Sequence, residues 1–134
     1  MKKIEDICVI VQARLSSQRC PRKMVKPFAG STLTDICLEK LLASNVIPKE
    51  NIILSVHEPE LIKIGERHGI NIFKRSHKSA FWDGGEGSHI KDMYEWWDKI
   101  PFKYVVQVNA CLPMLKIETI DEFVNMMKSR NVLL

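Results

Sequence analysis

Apolar positions along this chain come in two alternating rhythms, short unbroken runs and longer stretches with helical spacing. "ICVIVQA" (7–13) is almost continuously apolar and rich in β-branched residues, the pattern of a strand buried on both faces. Beyond a polar loop, "GSTLTDICLEKLLASN" predicts a helix capped by Ser31 or Thr32, with Leu33, Ile36, Cys37, Leu38, Leu41 and Leu42 at helical spacing. "NIILSV" (51–56) predicts a second strand, and "PELIKIGERHG" a second helix that starts at Pro59 and stops at Gly69. "INIFK" predicts a short third strand. Residues 75–88, "RSHKSAFWDGGEGS", have three glycines and no period, which predicts a long mobile loop. "HIKDMYEWWDKI" predicts a helix with Ile90, Met93 and Trp97 on one side, and "KYVVQVNA" a fourth strand. "ETIDEFVNMMKSR" predicts a final helix with Ile120, Phe123, Val124 and Met127 inward.

Strands alternating with helices imply parallel pairing through right-handed crossovers, hence an α/β, Rossmann-like sandwich of mostly parallel strands with helices on both faces. Such sheets bind ligands beyond the carboxyl ends of their strands, where the strand order reverses. With the order 3-2-1-4, that crevice lies beside the loop after the first strand. The loops of interest are 14–31, 57–58, 75–88 and 109–117.

Length and composition narrow this only a little. A chain of 134 residues suits one domain that buries roughly two-thirds of its unfolded surface. With 46% hydrophobic and 27% charged residues there is no case for disorder, and no apolar run is long enough to span a bilayer. The N-terminal "MKKIEDICVIVQAR" opens like a signal peptide, but Glu5 and Asp6 interrupt it and no cleavage site follows, which predicts a cytoplasmic protein without a membrane partner. Cys8, Cys20, Cys37 and Cys111 form no CxxC pair; Cys8 and Cys37 fall at core positions, Cys20 and Cys111 in loops. The histidines 57, 68, 77 and 89 lack metal-ligand spacing and read as surface residues, and no metal ligand is assigned. Asp83, Asp92 and Asp121 have no spacing that marks a base or ligand.

Charge changes the picture more. The net charge of +4 says little, but no acidic residue occurs between Asp6 and Asp35, a span that holds Arg14, Arg19, Arg22, Lys23 and Lys26. A one-signed stretch suits a polyanionic partner; the plainer reading is a solvated loop. Arginine forks donate paired hydrogen bonds to phosphate and lysine adds a mobile charge, so Arg14, Arg19 and Lys23 can neutralise much of a triphosphate. Ser16 and Ser17 add hydroxyl donors, and Pro21 stiffens the loop. Neither GxxxxGK[ST] nor GxGxxG follows the first strand, so the residues alone reach "anion, with a nucleotide as one candidate". Phe81, Trp82, Trp96 and Trp97 raise a stacking platform for single-stranded nucleic acid. Adjacent Trp96 and Trp97 point different ways on a helix, one into the core and one outward, which makes nucleic acid an unlikely partner.

The stretch "VIVQARLSSQRCPRKMVKPFAGSTLTD" resembles the N-terminal signature of the sugar-acid cytidylyltransferases, the acylneuraminate (CMP-sialic acid) synthetase family and its spore-coat polysaccharide relatives. Ala13, Arg14, Ser17, Arg19, Pro21, Lys23 and Gly30 stand in register with that signature. Ser16 stands where the family usually has glycine, and Gln18 where sialic acid synthetases tend to have lysine. "IFKRS" resembles a short strand ending in an arginine near the base, here Arg75. "YVVQVNACLPMLKIETID" resembles the fourth strand and its loop, where Asn109 meets base or ribose and Pro113 shapes the turn. Cys111 takes a place held by a metal-binding aspartate in some branches and by threonine in the sialic acid branch.

The resemblance implies a fold of the nucleotide-diphospho-sugar transferase type. It also implies transfer of CMP from CTP to a nonulosonic, sialic-acid-type sugar acid in polysaccharide biosynthesis, with release of pyrophosphate and with Mg²⁺ bridging the phosphates. Arg14, Arg19 and Lys23 would be catalytic, and Ala13, Arg14, Ser16, Ser17, Arg75, Ser88 and Asn109 would bind the nucleotide. The "DGGEGSH" segment would close over it, bringing Ser88 near the ribose. Family members continue for about as much chain again, with metal ligands, sugar contacts and a homodimerisation arm. Residues 1–134 therefore read as the nucleotide-binding half of a cytidylyltransferase-like domain, truncated at its C-terminus. Two readings stay open, a nucleotidyltransferase and an inactive nucleotide-binding remnant: Ser16 and Cys111 favour the second, Arg14, Arg19 and Lys23 the first.

Overall fold

A computed structural model describes residues 2–17 and 19–130. The four apolar runs form strands β1 (Ile7–Gln12), β2 (Ile52–Val56), β3 (Asn71–Lys74) and β4 (Tyr104–Val108). They make one parallel sheet in the order β3-β2-β1-β4, with Val9 opposite Ile52 on one side and Val106 on the other. β1 and β2 are the two inner strands because each can bury both faces. Ile7, Val9 and Val11 enter the main core, while Cys8 and Ile10 enter a smaller one behind the sheet.

The main core is closed by three helices on one face, α1 (Leu33–Leu42), α2 (Pro59–His68) and α5 (Ile117–Ser129). α1 begins where Thr32 accepts a hydrogen bond from the Asp35 amide, and α2 begins with Pro59 and ends at Gly69 in the left-handed conformation (φ 69°). The opposite face is covered by residues 94–105, with Trp96 buried against Cys8, Ile10 and Ile53. Short helices α3 (His77–Ala80) and α4 (Ile90–Met93) sit at the carboxyl edge of the sheet. No helix among the described residues is long and apolar enough to cross a membrane.

Several expectations need correction. Residues 75–88 are not all loop, since Ser76 caps α3 through the Ser79 amide and Arg75 is buried. The helix expected over 89–100 breaks at Tyr94 (φ −105°, ψ 52°) into α4 and a 3₁₀ turn, Glu95–Asp98. The break follows from Trp96, whose indole N–H donates to Gln12 Oε1 at 2.9 Å; Trp97, expected to share a face with Ile90 and Met93, is exposed instead. Phe123 also faces outward at 42% exposure, while Ile120 and Val124, flanked by Ile117 and Met127, make the contact of α5 with the core. His57 and His68 are half-buried rather than on the surface, each held by a hydrogen bond.

Candidate active site

Parallel strands send their carboxyl-terminal loops to one edge of the sheet, and there a crevice of about 950 Å³ opens between the ends of β1 and β4. Gln12 and Ala13 form its floor, the basic loop one wall, and Arg75, Ser79 and Phe81–Asp83 another. Gln107, Val108, Asn109 and Cys111 complete it from β4. Ala13, Arg14, Ser16, Ser17, Arg19, Lys23, Arg75 and Asn109, all expected at the site, are thus brought together. Ser88 is not in the wall: its hydroxyl closes a turn onto the Gly85 carbonyl at 2.6 Å.

The basic loop has two halves with different bonding. Four consecutive residues of the first half are tied down. Arg75 Nη1 donates to the Ala13 carbonyl at 3.3 Å, Arg14 Nη1 to the Trp82 carbonyl at 2.8 Å, the Leu15 amide to Glu58 Oε1 at 3.1 Å, and Ser16 Oγ to the Ala80 carbonyl at 3.1 Å. In the second half Arg22 adopts a left-handed conformation (φ 58°), pairs with Glu60, and lies outside the crevice. Arg19 and Lys23 face the crevice, and their side chains make no hydrogen bond or ion pair with any described residue. The loop thus presents two cations whose charge no carboxylate among the described residues takes up.

Behind them Arg75 is only 5% exposed. Its guanidinium makes three internal bonds, with Nε on Ser79 Oγ at 3.0 Å and Nη2 on the Ser79 carbonyl at 2.6 Å, besides the bond to Ala13. Burial pulls its pKa down to about 10, Glu58 nearby favours the charged form and Arg14 opposes it, so it stays cationic at neutral pH. Asn109 Oδ1 accepts from the Cys111 amide at 2.8 Å, which leaves its NH₂ free toward the crevice. Asp83 is the one carboxylate in the wall among the described residues, and its Oδ1 accepts from the Gly85 amide at 2.9 Å.

A family model described as cytidylyltransferase matches residues 8–132. The chain belongs to the cytidylyltransferase family. It is 25% identical over 131 residues to a 3-deoxy-manno-octulosonate cytidylyltransferase of Rickettsia bellii, covering 95% of this chain and 50% of that one. It is 30% identical over 79 residues to the spore coat polysaccharide biosynthesis protein SpsF of Bacillus subtilis, covering 54% of this chain and 33% of that one. Among solved structures, a cytidylyltransferase of Leptospira borgpetersenii superposes with a TM-score of 0.74 at 20% identity, covering 94% of this chain and 50% of that one. A CMP:2-keto-3-deoxy-manno-octonic acid synthetase complexed with CTP gives 0.73 at 14%, covering 96% and 49%. The fold is accordingly of the nucleotide-diphospho-sugar transferase type. The chain spans half the length of the longer-matching curated relative, and a third of SpsF.

Sequence reasoning missed several residues of this cytidylyltransferase-family crevice. Gln12 ends an apolar run with a polar side chain, a readable signal; its Oε1 accepts from Trp96 and Ser55, and its Nε2 donates to the Met93 carbonyl at 3.0 Å. Ser79 in the wall, 4 residues from its partner Arg75, had no motif to announce it, and Glu58, outside the wall, meets its partner Leu15 from 43 residues away. A second cavity of about 690 Å³ lies away from this edge, against the α1–α2 contact. There Asp35, Glu39 and His68 offer ligand atoms within 4.8 Å of one another, but Asp35 Oδ1 already accepts from Arg67 at 2.5 Å and from His68 at 2.7 Å. The acidic pair is thereby largely compensated from within.

Proposed function

We propose that this chain binds CTP in the crevice and serves the transfer of CMP to a sugar acid, with the phosphate tail held by Arg19 and Lys23. The observation that carries the reading is the pair of cations at the carboxyl edge of β1 that have no partner among the described residues, backed by the buried charge of Arg75. A crevice with that much positive charge and one carboxylate among the described residues favours a polyanion. The relative from Rickettsia bellii bears the name of a cytidylyltransferase for 3-deoxy-manno-octulosonate, which supports a sugar acid as acceptor; a nonulosonic, sialic-acid-type acceptor is the narrower form of the proposal. In the reaction a sugar hydroxyl oxygen attacks the α-phosphorus, the bond from that phosphorus to the oxygen bridging the β-phosphate breaks, the hydroxyl proton is released, and pyrophosphate leaves. Positioning and charge stabilisation dominate such transfers. Arg19 and Lys23 would stabilise the departing pyrophosphate, and Arg14 would join them by exchanging the Trp82 carbonyl for phosphate.

Mg²⁺ is ordinarily held by one or two carboxylates together with substrate phosphates. Asp83 is the one carboxylate in the wall among the described residues and already serves Gly85, so these residues do not form a Mg²⁺ site by themselves. No step above runs through the ion.

Titration calorimetry with CTP, UTP, ATP, GTP and inorganic pyrophosphate tests the reading. A charge-assisted contact is worth about 1.5–3 kcal/mol, so Arg19→Ala and Lys23→Ala should each weaken CTP and pyrophosphate about tenfold or more. Arg22→Ala, whose side chain is engaged by Glu60 outside the crevice, should change neither. Absence of binding by every nucleotide, or equal affinity in all three variants, would overturn the proposal; pyrophosphate release from CTP plus sugar acid separates turnover from binding alone.

A further inference from the structure

Glu58 follows β2 directly, and its carboxylate reaches the basic loop rather than solvent. Oε1 accepts from the Leu15 amide, while Oε2 is buried and meets no donor among the described residues. Both facts count against the position. An oxygen left without a partner is costly, and a negative charge beneath an anion-binding loop repels the anion. The compensation lies in what the Leu15 amide belongs to. It is one of four consecutive anchor points, at residues 13–16, that hold the first half of the loop, and it is the one made by the backbone N–H of the loop itself to a charged group. Arg75, whose guanidinium feels the charge of Glu58, makes the anchor at Ala13. Glu58 and Arg75 thus grip adjacent stretches of the same turn from below, one as acceptor and one as donor.

We propose that Glu58 is a positioning residue: through the Leu15 amide it holds residues 13–16 in the shape that receives phosphate, and this geometric gain exceeds the repulsion its charge exerts on the ligand. The inference rests on the reading of the crevice as a phosphate site. It has a signature of sign. Deleting a negative charge beside an anion site tightens binding by itself, whereas deleting an anchor of the loop loosens it. Glu58→Gln removes the charge and keeps a carbonyl for the Leu15 amide; Glu58→Ala removes both.

With inorganic pyrophosphate as probe, calorimetry should find Glu58→Ala weaker than wild type by about tenfold, and Glu58→Gln equal to wild type or tighter. Hydrogen exchange of amides 13–17 in the ligand-free protein should quicken about tenfold in Glu58→Ala and stay near wild type in Glu58→Gln. Far-UV circular dichroism confirms that each variant folds. Should Glu58→Ala unfold, Glu58→Asp, whose shorter arm falls short of the amide, takes its place. Tight pyrophosphate binding by Glu58→Ala, unchanged loop exchange, or identical behaviour of the alanine and glutamine variants overturns the inference. Failure of the wild-type protein to bind pyrophosphate overturns the phosphate site instead, and the exchange measurement still decides the role of Glu58.

Discussion

Replacing Asp35 by asparagine should strike the contact between α1 and α2 harder than any other single polar change on that face. Asp35 is 8% exposed; Oδ1 accepts from His68 at 2.7 Å and from Arg67 at 2.5 Å, and Oδ2 from the Thr32 hydroxyl at 2.7 Å. The Arg67 side chain is 62% exposed, so solvent screens its bond to about 0–1 kcal/mol. The His68 bond is sheltered and charge-assisted, worth about 1.5–3 kcal/mol. A negative charge in the first turn of α1 adds about 0.3–1 kcal/mol through the helix dipole. The loss sums to about 2–5 kcal/mol, or about 7–18 °C in Tm for a chain of this size. Burial pushes the Asp35 carboxyl up, but hydrogen bonds from His68 and Thr32 and the charge of Arg67 outweigh it, and the net value lies below the ordinary 3.8. A carboxyl lowered on folding stabilises above its unfolded value and ceases to do so as pH falls through its folded one. Thermal unfolding followed by circular dichroism should therefore show the full deficit of Asp35→Asn at pH 7 and a shrinking one below about pH 4. A deficit under about 2 °C at pH 7, or one that grows on acidification, would refute the clamp.

Burial raises the thiols of Cys8 and Cys37 to about 11, whereas Cys20 and Cys111 are half-buried. An aromatic disulfide reagent at pH 8 should label Cys20 and Cys111 in the native protein and Cys8 and Cys37 only after denaturation; native labelling of Cys8 would contradict the packing of β1. Gln12→Ala should cost about 1–3 kcal/mol in denaturant unfolding, because it orphans the Trp96 indole N–H and leaves the Met93 carbonyl with the Ser79 hydroxyl as its side-chain donor. It should also shift Trp96 fluorescence, and a loss below about 0.5 kcal/mol would mean that the 93–96 segment is held by other contacts.

The strands were readable because β1 and β2 are buried on both faces and need apolar runs, and their parallel pairing follows from the helices between them. The cationic loop was readable because its charges are local in sequence. What escaped is long-range. Arg75 lines the crevice as its residue type suggested, but nothing in "FKRSH" announces its burial or its bonds to Ser79 and Ala13. Trp96 and Trp97 form a plausible helical pair until the indole of Trp96 finds Gln12, 84 positions earlier, and breaks the helix. Phe123 fits the apolar period of α5, but the face of α5 that packs on the core is made by Ile117, Ile120, Val124 and Met127.

β1 runs without interruption into the mouth of the crevice, so Val11 holds the core while its neighbours Gln12 and Ala13 anchor the walls. Durability and recognition are consequently inherited together at that point, and few substitutions there can alter one while sparing the other. Change of ligand preference in descendants of this chain has its freest room at Arg19 and Lys23, whose side chains no other described part of the molecule depends upon.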